Sequence, residues 1–243
     1  EEGVAGCIAN GIDEKTANTI YDEMIDFAKY AFNKSHAACY AVVAYQTAYL
    51  KYYYPLEFMA ALMTSVMDNA GKTAEYILTC RQMGISILPP DINEGESGFS
   101  VSGNAIRYGL SAIKSVGTSV VDSIVAERQQ NGLFTSLEDF VERMTNKEAN
   151  KKTMENFIKS GALDSLPGNR RQKMMVMPEL LEQKNKEKKT SMAGQMSLFD
   201  FADEETKDDF RITMPNVPEY PKEELLAFEK ETLGIYVSGH PMD

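Results

Sequence analysis

The sequence predicts a mainly α-helical protein with one small β-hairpin and a weakly structured segment towards its C-terminus. Three observations support this fold class. Apolar residues recur at the spacing of a helix through most of the first 160 positions. One short stretch instead alternates apolar and polar residues on both sides of a Gly-Asn pair, which is typical of a hairpin. A later stretch is rich in Lys, Glu, Gln, Ser and Thr and precedes an acidic one, a composition that favours disorder.

Four patterns predict helices before the hairpin, over residues 17–32, 36–53, 56–66 and 72–83. Pro55 should end the second of these helices, because the residue before a proline avoids the helical region. Gly84 is suited to cap the fourth. Later patterns predict a strand over 85–88, hairpin strands over 99–102 and 105–108, short helices between 110 and 160, a mostly disordered linker over 183–220 and a last helix over 223–232.

The composition limits the class of protein. The chain has 243 residues, of which 43% are hydrophobic, enough for one large or two small domains. We expect no membrane span and no signal peptide, because no long apolar run or basic leader occurs. The widely spaced Cys7, Cys39 and Cys80 favour a reducing cytoplasm over disulfides or zinc. The net charge of −11 argues against nucleic-acid binding by the whole chain, but residues 200–209 are strongly acidic, so a basic patch elsewhere is compatible with it.

The segment Gly109–Thr118 predicts a helix-hairpin-helix motif. Gly117 would supply the backbone freedom of a tight turn, and the turn opens a helix whose free N–H groups suit a phosphate. Lys114 could add a charge to that contact. The predicted DNA-binding residues here are Lys114, Ser115, Val116, Gly117 and Thr118. Taken alone, an ordinary corner between two helices explains the motif equally well.

A second element of this kind occupies residues 157–164, with Lys159 and Gly161 as predicted DNA-binding residues. The two elements in tandem would form a compact helical module that holds the DNA backbone. A plain helix cap at Gly161 is the alternative, and the second element taken by itself favours that alternative.

Several blocks of residues then point to a known family: Phe32–His36, Tyr45–Thr47, Tyr54–Ala61, Leu88–Asn93, Gly109–Lys114, Ser160–Asp164, Glu231–Tyr236 and Gly239–Pro241. Their order over nearly the whole chain resembles the alpha subunit of bacterial DNA polymerase III, the DnaE type more than the PolC type. The resemblance implies a fragment that lies between the palm and the oligonucleotide-binding module of that family. It implies late fingers over 1–88, the hairpin and tandem helix-hairpin-helix module over 89–182, a clamp-binding linker over 183–220 and a short helix within 221–243.

The resemblance also implies roles for individual residues. Asn33, Lys34, Ser35 and His36 would face the incoming deoxynucleoside triphosphate, whereas from sequence alone they would form a polar helix junction. No catalytic carboxylate is expected here, and the Mg²⁺ of the polymerase would be held by residues outside this sequence. The fragment by itself would therefore be inactive and would need no cofactor.

A short motif predicts a protein partner. Gln195, Met196, Ser197, Leu198 and Phe199 resemble the peptide by which bacterial polymerases bind the ring-shaped sliding clamp. The apolar side chains could fill preformed pockets, although a chance apolar stub or a strand that packs on the hairpin module would also explain them. The expected function is thus a segment of a replicative DNA-directed DNA polymerase, working with DNA, the clamp and other replicase subunits. The alternative is a complete, non-enzymatic DNA-binding adaptor that recruits the clamp.

Overall fold

The computed structural model describes residues 6–29, 33–144, 150–192, 213–239 and 241–242. The chain divides into two compact units after Tyr53. This division falls inside the segment 1–88 that the resemblance assigns to the fingers.

The first unit contains two helices, α1 (Glu14–Lys29) and α2 (Lys34–Tyr53). Both begin before the first residue that periodicity predicted, because a polar side chain caps each of them. Asp13 Oδ1 accepts a hydrogen bond from Thr16 N at 2.9 Å, and Asn33 Oδ1 accepts one from Ser35 N at 3.0 Å. None of the described residues in these two helices is buried.

The second unit begins with α3 (Pro55–Ser65) and α4 (Ala70–Gln82). Pro55 stands in the first turn of α3, where its missing N–H costs nothing. Gly84 follows the end of α4 with a φ of +75°, as expected for the residue after a helix cap.

Three short strands follow: β1 (Ser86–Leu88), β2 (Ser100–Ser102) and β3 (Ala105–Arg107). β2 and β3 pair antiparallel, so the predicted hairpin is confirmed. The sequence did not indicate that β1 pairs parallel with β3, giving the order β1-β3-β2.

The rest of the second unit is helical: a 3₁₀ turn at Leu110–Ala112, then α5 (Thr118–Asn131), α6 (Leu137–Met144), α7 (Lys151–Ser160), α8 (Arg170–Met192) and α9 (Lys222–Leu233). Its core contains edge-to-face aromatic rings. Phe140 lies 4.9 Å from Phe134 and 6.0 Å from Phe157, measured between ring centroids. The predicted mainly helical fold with a small β element is confirmed.

The predicted linker over 183–220 differs from the structure at both ends. α8 runs on through Met192, because Lys, Glu, Gln and Met have a high intrinsic helix propensity. After a gap in the described residues, the segment 213–220 packs on the start of α8. Asn169 Nδ2 donates to Val217 O at 2.9 Å, and Glu219 accepts from Arg170 N at 2.8 Å.

Candidate nucleic-acid interface

The segment Ile113–Thr118, named here the hairpin loop, connects the 3₁₀ turn to α5. Ile113 and Val116 are buried, and Val116 N donates to Ile113 O at 3.1 Å, which closes the turn. Lys114, Ser115 and Gly117 are exposed. Two apolar anchors therefore fix the loop and leave its polar residues facing solvent.

The left-handed residue of the hairpin loop is Ser115, with a φ of +62°. The prediction that Gly117 supplies this freedom is wrong, because Gly117 has a φ of −77° and is the N-cap of α5. A Cβ at Gly117 would meet only Ser119 Oγ at 3.8 Å. The small residue that the turn needs is thus at position 115, where a serine tolerates a conformation that glycine adopts without strain.

α5 presents its N-terminus at the same loop. The first amides of a helix have no acceptor within that helix, and Gly117 and Thr118 are exposed at its start. No acidic residue lies in the first turn of α5. The positive end of the helix dipole therefore faces solvent without a compensating carboxylate in that turn, which suits an anion.

Two other helices hold the hairpin loop in place. Asn156 Nδ2 of α7 donates to Lys114 O at 2.6 Å, and Lys114 N donates to Thr232 O of α9 at 2.8 Å. Next to these contacts, the buried Tyr108 hydroxyl donates to Leu233 O at 3.0 Å, and burial raises the pKa of Tyr108 above its ordinary value. The sequence did not predict the roles of Tyr108, Asn156 and Thr232 in these contacts, because no local pattern signals contacts between such distant segments.

The charge around the loop differs from that of the whole chain. Residues 84–173 contain eleven acidic and eleven basic side chains, whereas the whole chain has a net charge of −11. Lys114 is exposed in the loop, and Lys151 and Lys152 are exposed in the first turn of α7. The acidic excess therefore lies outside the helical module, which removes the objection that net charge raised against nucleic-acid binding.

The structure places the predicted second DNA-binding element, Lys159 and Gly161, at the C-terminal cap of α7, and its contact with DNA stays a prediction. Gly161 follows α7 with a φ of +82°, and a Cβ there would lie 2.2 Å from Arg170 Nη2. The Arg170 guanidinium in turn pairs with the Asp164 carboxylate, at 2.6 Å between Nη2 and Oδ2. Lys159, the other predicted residue, pairs with Glu231 instead of facing solvent alone. This cap was the alternative that the sequence favoured for the isolated element.

The structure places the four predicted nucleotide-binding residues at the start of α2. Asn33 caps the helix, and Lys34, Ser35 and His36 are exposed in its first turn. The His36 and Tyr40 rings lie 4.4 Å apart, centroid to centroid. Their contact with a nucleotide stays a prediction.

The clamp motif, Gln195–Phe199, lies outside the described residues. Among the residues that the structure does describe, no group of His, Cys, Asp and Glu side chains has an arrangement that could hold a metal ion. No described helix is long and apolar enough to cross a bilayer.

Comparison with known proteins identifies the structural motif that contains the hairpin loop. Residues 84–173 match the family model of the helix-hairpin-helix motif, and the hairpin loop, α5, α6 and α7 all lie within the match. The second unit is therefore built around a helix-hairpin-helix module.

The relatives extend over nearly the whole chain. DNA polymerase III subunit alpha of Chlamydia trachomatis is 44% identical over 97% of this chain and 19% of its own length. The subunit of Borreliella burgdorferi is 44% identical over 98% of this chain and 21% of its own length. The subunit of Deinococcus radiodurans is 43% identical over 99% of this chain and 18% of its own length. Over nearly its whole length the chain matches a segment of DNA polymerase III alpha subunits, and it spans about one fifth of the length of these relatives.

Proposed function

We propose that the chain is a segment of a replicative DNA-directed DNA polymerase, and that it holds the backbone of duplex DNA at the hairpin loop. The observation that supports this most directly is the exposed loop at the open N-terminus of α5, inside the helix-hairpin-helix match. The family of the relatives supplies the wider role in DNA replication.

The chemistry of the loop suits a phosphate rather than a base. Backbone N–H groups of Gly117 and Thr118 can donate to phosphate oxygens, and Lys114 adds a positive charge beside them. Such contacts fix the position of a protein on a duplex and are independent of sequence. A polymerase that moves along its template needs a hold of this kind.

Other parts of the chain would serve the same enzyme. Asn33, Lys34, Ser35 and His36 would lie on the nucleotide side, where a lysine can offset triphosphate charge. Residues 195–199 would bind the sliding clamp, and other replicase subunits would complete the assembly. Nucleotidyl transfer with Mg²⁺ would use the metal-binding carboxylates of the palm, which the resemblance places before this segment.

The hairpin loop can be tested by titrating the chain with a fluorescent DNA duplex at several salt concentrations. Replacing Lys114 with Gln removes one charge at the loop, and replacing Lys222 with Gln removes one from an exposed position at the start of α9. We expect Lys114→Gln to weaken binding about fivefold to tenfold at ~0.1 M salt and to reduce the salt slope by about 1. Lys222→Gln should change affinity less than about twofold. Equal effects of the two substitutions would contradict a specific role for the loop.

A further inference from the structure

Glu231, near the end of α9, is surrounded by lysines of the helix-hairpin-helix module. Both of its carboxylate oxygens accept hydrogen bonds from Lys159 Nζ, at 3.0 and 2.9 Å. The hydrogen bond from Lys159 lowers the pKa of Glu231 despite partial burial, and the charges of Lys159, Lys152 and Lys114 lower it further. Three positive charges therefore act on one carboxylate.

These lysines share a face with the hairpin loop. Lys152, Asn156 and Lys159 are three or four residues apart on α7, so their side chains project from one side of that helix. Asn156 on that face binds the carbonyl of Lys114. The hairpin loop and the lysine face of α7 thus form one surface, and Glu231 lies on it.

Next to Glu231, a cavity of about 450 Å³ is open beside the hairpin loop. Residues 111–116 line one side of it, and residues 230–234 at the end of α9 line another. The Glu231 side chain is 47% exposed, whereas that of Lys159 is 19% exposed and lies over the Phe228 ring at 5.2 Å. The lysine is therefore held by packing, and its carboxylate partner is the more accessible of the two.

We propose that Glu231 competes with DNA phosphate for the lysines of this surface. Its carboxylate pairs with Lys159 when no DNA is bound, and a backbone phosphate that enters beside the hairpin loop takes its place. This inference rests on the proposed DNA binding at the loop. The carboxylate weakens the hold on the duplex, because one lysine must exchange partners each time a phosphate binds or leaves.

The test compares two variants of the same chain that each remove one negative charge from α9. Glu231→Gln keeps the size of the side chain and an acceptor for Lys159. Glu223→Gln makes the same change at an exposed residue in the first turn of α9. Affinity for a fluorescent DNA duplex is measured across a salt series, and thermal unfolding checks that each variant is folded.

We expect Glu231→Gln to bind DNA about fivefold to tenfold more tightly at ~0.1 M salt, with a salt slope steeper by about 1, since Lys159 becomes available for one more phosphate. Glu223→Gln should change affinity less than about twofold. Adding Lys159→Gln to Glu231→Gln should remove the gain. The inference is overturned if Glu231→Gln behaves like Glu223→Gln, or if the double variant keeps the gain. If neither wild type nor Glu231→Gln binds duplex DNA, the proposed function fails with it, whereas wild-type binding without the gain overturns the inference alone.

Discussion

The two units of the chain use similar helical patterns but differ in what they bury. In the second unit, Phe140 and Phe157 are fully buried and the helices pack around them. In the first unit, large apolar side chains remain at the surface: Phe27 is 64% exposed, Tyr45 71% and Tyr52 77%. Helical periodicity therefore predicts the helix in both units, while burial depends on neighbours that only the second unit provides within the described residues.

This difference has an energetic consequence. Burial of apolar surface is the main favourable contribution to folding, so the stability of the chain should come from the second unit. Within the first unit itself, the described residues of both helices bury no side chain. The comparison can be tested by changing matched residues in the two units.

The largest expected effect comes from removing one aromatic ring in each unit. Phe157→Ala should lower the free energy of unfolding by about 3–5 kcal/mol, since it leaves a cavity beneath Phe140 in the core. Tyr52→Ala should change it by no more than about 0.5 kcal/mol, because the ring is mostly exposed. Urea unfolding followed by far-UV circular dichroism measures both. Comparable losses would show that the first unit also has a stabilising core.

A smaller effect distinguishes two glycines of the second unit that share a left-handed backbone. Gly161→Ala should cost about 3 kcal/mol, because the new Cβ would overlap the Arg170 guanidinium that pairs with Asp164. Gly84→Ala should cost only about 1 kcal/mol, since no atom lies within 4 Å of a Cβ there. The midpoint of urea unfolding reports the difference. If the two variants were equally stable, the cap at Gly161 would not depend on close packing.

The sequence predicted the elements that local patterns determine. The helices and the hairpin depend on residues a few positions apart, and cap residues such as Asn69 and Asn150 account for where individual helices begin. The parallel pairing of Ser86–Leu88 with Ala105–Arg107 was not predicted, because it joins segments with no shared pattern. The helix over residues 183–192 was not predicted either, although it depends on local sequence, because a run of polar helix-forming residues has the same composition as a linker.

The candidate site was predicted in part for the same reason. The sequence predicted the hairpin loop from its small residues and from Lys114, which are consecutive in sequence, and the loop lies within the helix-hairpin-helix match over residues 84–173. The contacts of Asn156 and Thr232 with Lys114, and the pairing of Lys159 with Glu231, join distant segments and became visible only in the folded chain. Sequence patterns therefore predict the loop but not the side chains of distant segments that contact it.

The smallest expected effect concerns the segment 213–220, where the second unit extends into what the sequence predicted as linker. Glu219 caps α8: its carboxylate accepts hydrogen bonds from the backbone N–H groups of Arg170 and Arg171, at 2.8 and 3.1 Å. Burial raises the pKa of Glu219, but these donors and Tyr220 N outweigh burial and lower it below its ordinary value of 4.5. The folded state therefore binds the proton less tightly than the unfolded state.

The sign of the pH dependence follows from that difference. The cap contributes its full stability above the unfolded pKa of 4.5 and loses it as the pH falls through the lower folded pKa. Glu219→Gln should thus cost about 1 kcal/mol at neutral pH and progressively less as the pH falls below about 4. Urea unfolding of wild type and variant, at neutral pH and below about pH 4, measures this difference in stability. The exposed Glu223→Gln serves as the control. A difference between wild type and Glu219→Gln that stayed constant with pH would mean that the carboxylate charge does not hold the segment 213–220 on α8.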